Sequence, residues 1–314
     1  MRNFKKILCV AFLLAGIGIF LFPEINSWLL KQENARVIEA FDVAVDDAAD
    51  ETTDAAESAE EYDIITSSDD LWEQVQAYNL GLWENGQADF CDAWAVTQAP
   101  SIEGLEDAIF GYIEIPEMDV TLPLYVGASA KNLVKGAAVL GATSLPVGGE
   151  NTNCVIAAHR GYRGIPFFRE IEKLGVGGAV YITNPWGTLG YRVESIDIIS
   201  PVGSGKVMIQ EGKDMVTLVT CHPFGSHGKY RYAVYCVRDD SVLGTDIQFS
   251  GGAGDAITAS DGNIYPASQS DIDRERLFRY VCGAALIIIF LICLITGRRR
   301  ERITAGECRT ADAG

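Results

Sequence analysis

Between residues 110 and 237 the apolar side chains fall into short runs, each closed by glycine, proline or polar turn residues. Such runs are too brief for helices that bury a face, and several alternate apolar with polar, as half-buried strands do. Residues 111–116 and 121–126 alternate most clearly, and 153–158, 179–183, 191–199, 216–221 and 231–237 complete the series. Short helical pieces are expected near 130–135 and 167–174. About seven or eight strands in under about 150 residues predict a mainly β domain, a compact barrel or sandwich.

Outside this region the chain changes character. Residues 7–22 are apolar and uncharged, preceded by Arg2, Lys5 and Lys6, and residues 280–296 are similar, followed by Arg298, Arg299, Arg300 and Arg302. No small-residue cleavage pattern follows the first run, so both read as membrane helices. The flanking basic residues place both termini in the cytoplasm and the middle outside, although Arg274, Arg276 and Arg279 lie on the outer side of the second helix.

The net charge of −18 is uneven: residues 42–70 hold twelve acidic side chains and no Lys or Arg. That stretch reads as a disordered, solvated stalk, and 246–271, rich in Gly, Ser, Ala and Asp, reads as a linker. With no compact basic patch, nucleic acid is not an expected partner. Residues 70–82 suit a helix with Trp72, Val75, Tyr78, Asn79 and Leu82 near one face. Of eight cysteines, Cys9, Cys282 and Cys293 fall in the apolar runs and Cys308 in the tail, leaving Cys91, Cys154, Cys221 and Cys236 outside. If Cys221 stays a free thiol, the three others cannot all pair internally, and a bridge among them stays undetermined.

Cys221 ends a strand and precedes a polar, glycine-containing loop, which suits an exposed nucleophile at a barrel rim; a buried apolar cysteine is the commoner alternative. The histidines are His159, His222 and His227. His222 is next to Cys221 and so points to the opposite face, His227 lies in the loop, and His159 ends the strand 153–158. Arg231 opens the next strand, where a guanidinium can return to steady an oxyanion, with Arg160, Arg163 and Arg238 as rivals. The spacing of Cys154, His159, Cys221, His222 and His227 matches no standard zinc pattern, so no metal is expected.

The motif TLVTC at 217–221 resembles the nucleophile motif of sortases, membrane-anchored cysteine transpeptidases of Gram-positive bacteria. His159-Arg160-Gly161 and Arg231 fall where sortases carry their catalytic His and Arg. GYIEIP at 111–116, TSLPVGGE at 143–150 and CHPFG at 221–225 resemble the pilin-polymerising class C most closely. Three departures stand out. His222 replaces a usual Thr, the Cys-to-Arg loop is about one residue longer, and Asp92-Ala93-Trp94 resembles the class C lid motif without its proline.

The resemblance implies an eight-stranded sortase barrel with short helices, flanked by two transmembrane helices. It divides the chain into a cytoplasmic start and anchor (1–30), acidic stalk (31–70), helix and lid segment (71–105), catalytic barrel (106–245), linker (246–276), second membrane helix (277–297) and cytoplasmic tail (298–314). It implies catalytic His159, Cys221 and Arg231, a lid in which Asp92 approaches Arg231 and Trp94 covers Cys221, and a substrate-binding Thr220. Cleavage of an LPXTG-type signal at Thr-Gly through a thioester, then transfer to a pilin lysine, would need no cofactor. The implied location is the cell membrane, with the catalytic domain extracellular. A housekeeping sortase joining proteins to peptidoglycan, a secreted cysteine protease and a silent binding module are the alternatives.

Overall fold

The computed structural model describes residues 2–49, 62–88, 90, 100, 102–226, 228–244, 252 and 256–311. They form two compact units, Met1–Ile25 with Asp271–Gly314, and Asn26–Ser270. The first unit is helical, built from the start of α1 (Arg2–Ala49) and most of α4 (Gln269–Ala311). Within it Phe20 and Tyr280 meet edge-on at 6.3 Å. Both apolar runs therefore lie in helices, but among the described residues no helix is long and apolar enough to cross a membrane. Each run sits at or near the lower limit of roughly 17 residues for a crossing. The expected pair of spanning helices thus finds no support in the described residues.

The second unit is a closed eight-stranded barrel in the order β1-β2-β3-β4-β7-β8-β6-β5. Its strands are β1 (Ile109–Ile115), β2 (Val120–Val126), β3 (Ala137–Val139), β4 (Thr152–Ala157), β5 (Ala179–Asn184), β6 (Gly187–Ile199), β7 (Asp214–His222) and β8 (Tyr230–Arg238). Seven match the strands read from sequence. The exception is β3, whose three small residues carry no alternation. Of the expected helical pieces, α3 (Ala130–Leu133) forms, while residues 167–174 give only a 3₁₀ turn at Ile171–Lys173. All neighbours pair antiparallel except β2 with β3 and β4 with β7, which are parallel.

Alternation along each strand separates two cores. The barrel interior takes Cys154, Ile156, Val216, Leu218, Tyr232 and Val234. A second cluster on the outer face gathers Val155, Met215, Val219, Ala233 and Tyr235 with Val37, Phe41 and Phe90. Val37 and Phe41 belong to α1, and this corrects the stalk read from sequence: helix continues to Ala49 through the first acidic residues. Val37, Ala40, Phe41 and Ala44 are buried at helical spacing while Asp42 and Asp46 face solvent, so the acidic count masked an amphipathic face. Residues 50–61 lie outside the described residues.

Helix α2 (Asp69–Glu84) starts where Ser68 caps the Leu71 N–H at 3.2 Å and Asp69 and Asp70 complement the helix dipole. It packs Val75 against Leu105, Phe110 and Val126, and Trp72 against Trp186 at 5.0 Å. Asn79, 3% exposed, donates to the Leu145 carbonyl at 3.1 Å and accepts from the Leu145 N–H at 2.8 Å. Asn79→Ala would leave both backbone groups unpaired in the interior. We expect a loss of about 2–3 kcal/mol in unfolding free energy, measured by urea titration; a change below about 0.5 kcal/mol would show that Asn79 does not hold this contact.

Candidate active site

Three strands bring the sequence-predicted residues to one end of the barrel. β7 and β8 pair antiparallel with Cys221 directly opposite Arg231. β4 runs parallel to β7 with Ala157 beside Val219, and the Ala158 N–H continues the ladder to the Val219 carbonyl at 3.3 Å. His159 and Cys221 each follow that last pair by two residues, so both lie at this end of the barrel. Cys221 lies two residues after the outward-facing Val219 and Arg231 two before the outward-facing Ala233, so both belong to the outer face.

Gly228 marks how closely thiol and guanidinium approach. A methyl group on it would lie 2.7 Å from Arg231 Nη1 and 3.1 Å from Cys221 Sγ, so a side chain there would intrude between them. Gly228 also has φ +84°, which favours glycine. Arg231 Nη1 donates to the Gly228 carbonyl at 2.7 Å, folding the guanidinium back over the loop. His159 is half-buried, stacked on Tyr162 at 4.9 Å and edge-on to Phe167 at 6.2 Å. Burial lowers its pKa, so the imidazole is uncharged near neutral pH and ready to accept a proton.

The rival residues go elsewhere. Cys154 and Cys236 are fully buried in the barrel interior, where desolvation raises both thiols well above the usual range and makes them poor nucleophiles. Arg238 sits at the far end of the barrel, bonded to Asp240 at 2.7 Å, and Arg163 lies over the Tyr162 ring. Thr220, the expected substrate contact, is a buried strand residue. It is 3% exposed, points away from Cys221, and donates its hydroxyl to the Ala158 carbonyl at 2.7 Å, which ties β7 to the chain carrying His159. Asp92, Trp94, Cys91 and His227 lie outside the described residues. Just before them Gln87 spans two loops, donating to the Ala142 carbonyl at 3.2 Å and accepting from the Ile209 N–H at 2.7 Å. Among the described residues no cluster of His, Cys, Asp or Glu is arranged to hold a metal.

Sequence reasoning missed a polar network at the barrel mouth, behind Cys221. Arg160 and Glu172 form a buried ion pair. Arg160 Nη1 also donates to the Cys221 carbonyl at 3.3 Å and lies 2.9 Å from His222 Nδ1. Glu172 sits in a run of helix-like apolar pattern, and nothing in its sequence context distinguishes it from a surface carboxylate.

A half-buried thiol, an uncharged imidazole and a guanidinium at one end of a closed barrel are the kinds of group that cysteine-dependent acyl transfer uses. Residues 113–239 match the Sortase family, described as Sortase domain. Sortase C1 of Streptococcus agalactiae, solved as a complex with MTSET, is 30% identical; the match covers 66% of this chain and 99% of that one, with a TM-score of 0.53. A Clostridium perfringens sortase C is 34% identical over 62% of this chain and 97% of that one, with a TM-score of 0.50. Sortase A of Bacillus anthracis is 27% identical over 179 residues, 55% of this chain and 82% of that protein. The chain belongs to the sortase family of cysteine transpeptidases, as its motifs led us to expect, and its solved relatives here are sortases C.

His222, where the class usually has Thr, is 1% exposed. Desolvation, then the Arg160 charge, lower its pKa from 6.5 to about 4. Between those values the unfolded chain binds the proton that the folded chain refuses, so the stabilisation present above about pH 6.5 is lost as pH falls toward 4. His222→Gln should therefore show a shallower drop in Tm between pH 7 and pH 4.5 than the parent. It should not be flat, because His159 shifts in the same direction. Equal acid slopes would contradict this assignment.

Proposed function

We propose that this sortase cuts LPXTG-type sorting signals at Thr-Gly and joins the freed carboxyl to a lysine of a pilin subunit, building a pilus. The juxtaposition of Cys221 Sγ and the Arg231 guanidinium about Gly228, beside the strand end that carries His159, supports this reading most directly. Cys221 Sγ attacks the Thr carbonyl and its proton passes to His159. Arg231 steadies the tetrahedral oxyanion. His159 then gives the proton to the departing Gly amine, leaving a thioester on Cys221. A lysine amine of a second pilin attacks the thioester, loses a proton to His159, and releases the thiol with an isopeptide bond formed. No cofactor enters these steps.

The pilin role draws on two observations. The solved C. perfringens sortase C relative was captured with its C-terminal cell wall sorting motif, and Asp92-Ala93-Trp94 resembles the class C lid. Asp92 and Trp94 are assigned to that lid, over Arg231 and Cys221. The apolar runs 7–22 and 280–296 are assigned to the membrane, with the barrel on the extracellular side of a Gram-positive cell. Similarity to sortase A of B. anthracis favours a second reading, attachment of surface proteins to peptidoglycan. The acceptor separates the two: a pilin lysine for the first, the amine of a peptidoglycan precursor for the second.

Cys221→Ala in the full-length protein is expected to abolish the acyl adduct formed with an LPXTG-type peptide, read by intact mass, and a retained adduct would sink the assignment. Replacing Asp92 and Trp94 together with Ala should raise peptide cleavage by roughly fivefold or more, as removal of a cover does. Unchanged or slower turnover would mean that these residues do not shield the thiol.

A further inference from the structure

The chain beyond β8, read from sequence as a linker, folds back onto the barrel. β9 (Ala256–Thr258) and β10 (Ile264–Pro266) form a hairpin. Ile257 and Ala259 join the barrel-interior cluster, 7% and 4% exposed. The Ser260 N–H donates to Asp197 on β6 at 2.9 Å, and Lys206 donates to Ser260 Oγ at 2.7 Å. Tyr265 packs edge-on at 4.9 Å against Tyr230, the residue before Arg231. A solvated linker makes no such contacts.

The segment ends at Ser268, 1% exposed, and there it reaches the nucleophile's loop. Ser268 Oγ accepts from the Phe224 N–H at 3.0 Å, three residues past Cys221. The Ser268 N–H donates to Glu172 Oε2 at 2.8 Å. The other Glu172 oxygen pairs with Arg160, and Arg160 donates to the Cys221 carbonyl at 3.3 Å. The chain of bonds closes a ring from Cys221 through Arg160, Glu172 and Ser268 to Phe224 and back along the main chain. The loop it closes needs such a hold. The β7–β8 ladder ends at His222 and Tyr230, and Gly225 and Gly228, both at positive φ, leave the connection pliable.

We propose that Ser268, Glu172 and Arg160 are positioning residues that fix the Cys221 main chain for attack, making residues 256–268 a working part of the catalytic domain. The proposal rests on Cys221 being the nucleophile. None of the three touches substrate. Their effect passes through the carbonyl of Cys221 and the N–H of Phe224, and an error of an ångström in a nucleophile's position is enough to slow its reaction many-fold.

Glu172 and Arg160 are too deeply paired for simple truncation, since an unpaired buried charge would itself unfold the domain. Ser268 is the better probe. In full-length protein, Ser268→Ala removes the acceptor for Phe224 and keeps the backbone bond to Glu172, whereas Ser268→Thr keeps the hydroxyl. Acylation by an LPXTG-type peptide, the rate of iodoacetamide alkylation at Cys221 followed by peptide mass mapping, and Tm are measured for each. We expect S268A to lower kcat about tenfold with KM held within about twofold, to change the Cys221 alkylation rate, and S268T to restore both. A purely structural role would lower Tm while the folded enzyme kept its kcat, and that result overturns the proposal. If the wild type forms no acyl adduct, the proposed function falls instead. The alkylation rates then still decide the clamp, and equal rates in S268A and wild type overturn it.

Discussion

A parallel pair of strands cannot be joined by a tight turn, so β4 and β7 meet only because the chain between them travels around the barrel through β5 and β6. The six residue pairs of that register, from Thr152 beside Asp214 to Ala157 beside Val219, fix which residues share the strand ends. A slip of one residue would turn His159 or Cys221 to the other face. The register is held by the interior packing of Cys154, Ile156, Val216 and Leu218, and at its last step by the Thr220 hydroxyl on the Ala158 carbonyl. Alternate residues of β7 thus serve the core, and the end of the strand holds Cys221 opposite Arg231.

The same alternation explains why Cys221 and His222, adjacent in sequence, have unrelated surroundings. Cys221 looks outward beside Arg231. His222 looks inward to Arg160, Glu172 and Tyr232, a polar group set in a mouth that is otherwise apolar. Charges buried that deeply cost several kcal/mol each to desolvate, and apolar replacements are often as stable or better. Stability alone therefore does not account for the Arg160–Glu172 pair. Its bonds to the Cys221 carbonyl and the Ser268 N–H give it a geometric use that no apolar pair could supply.

The barrel was legible because its strands are bounded by Gly and Pro and alternate cleanly, and the placing of Cys221 opposite Arg231 was legible because both lie at strand ends. What stayed hidden had physical reasons. β3 is three small apolar residues, too short for a period. The amphipathic face of α1 was obscured by acidic residues that occupy its solvent side, so composition argued for disorder where the spacing of Val37, Phe41 and Ala44 argued for packing. Residues 256–268 are linker-like in composition because only Ile257, Ala259 and Tyr265 pack on the barrel, and the other anchors are the polar Ser260 and Ser268. The Thr220 hydroxyl bond to Ala158 stayed hidden because a motif names residues without saying which way they face.

The outer face of β7 and β8 is covered almost to the strand ends. Phe90 and its neighbours in the outer cluster bury Val219 and Ala233, and Gln87 bridges the loops around Ala142 and Ile209. An extended peptide approaching Cys221 along that face has to share it with Gln87 and Phe90 or displace them. Displacement exposes apolar surface that the peptide must cover again, so a side chain able to replace Phe90 is favoured over a polar one.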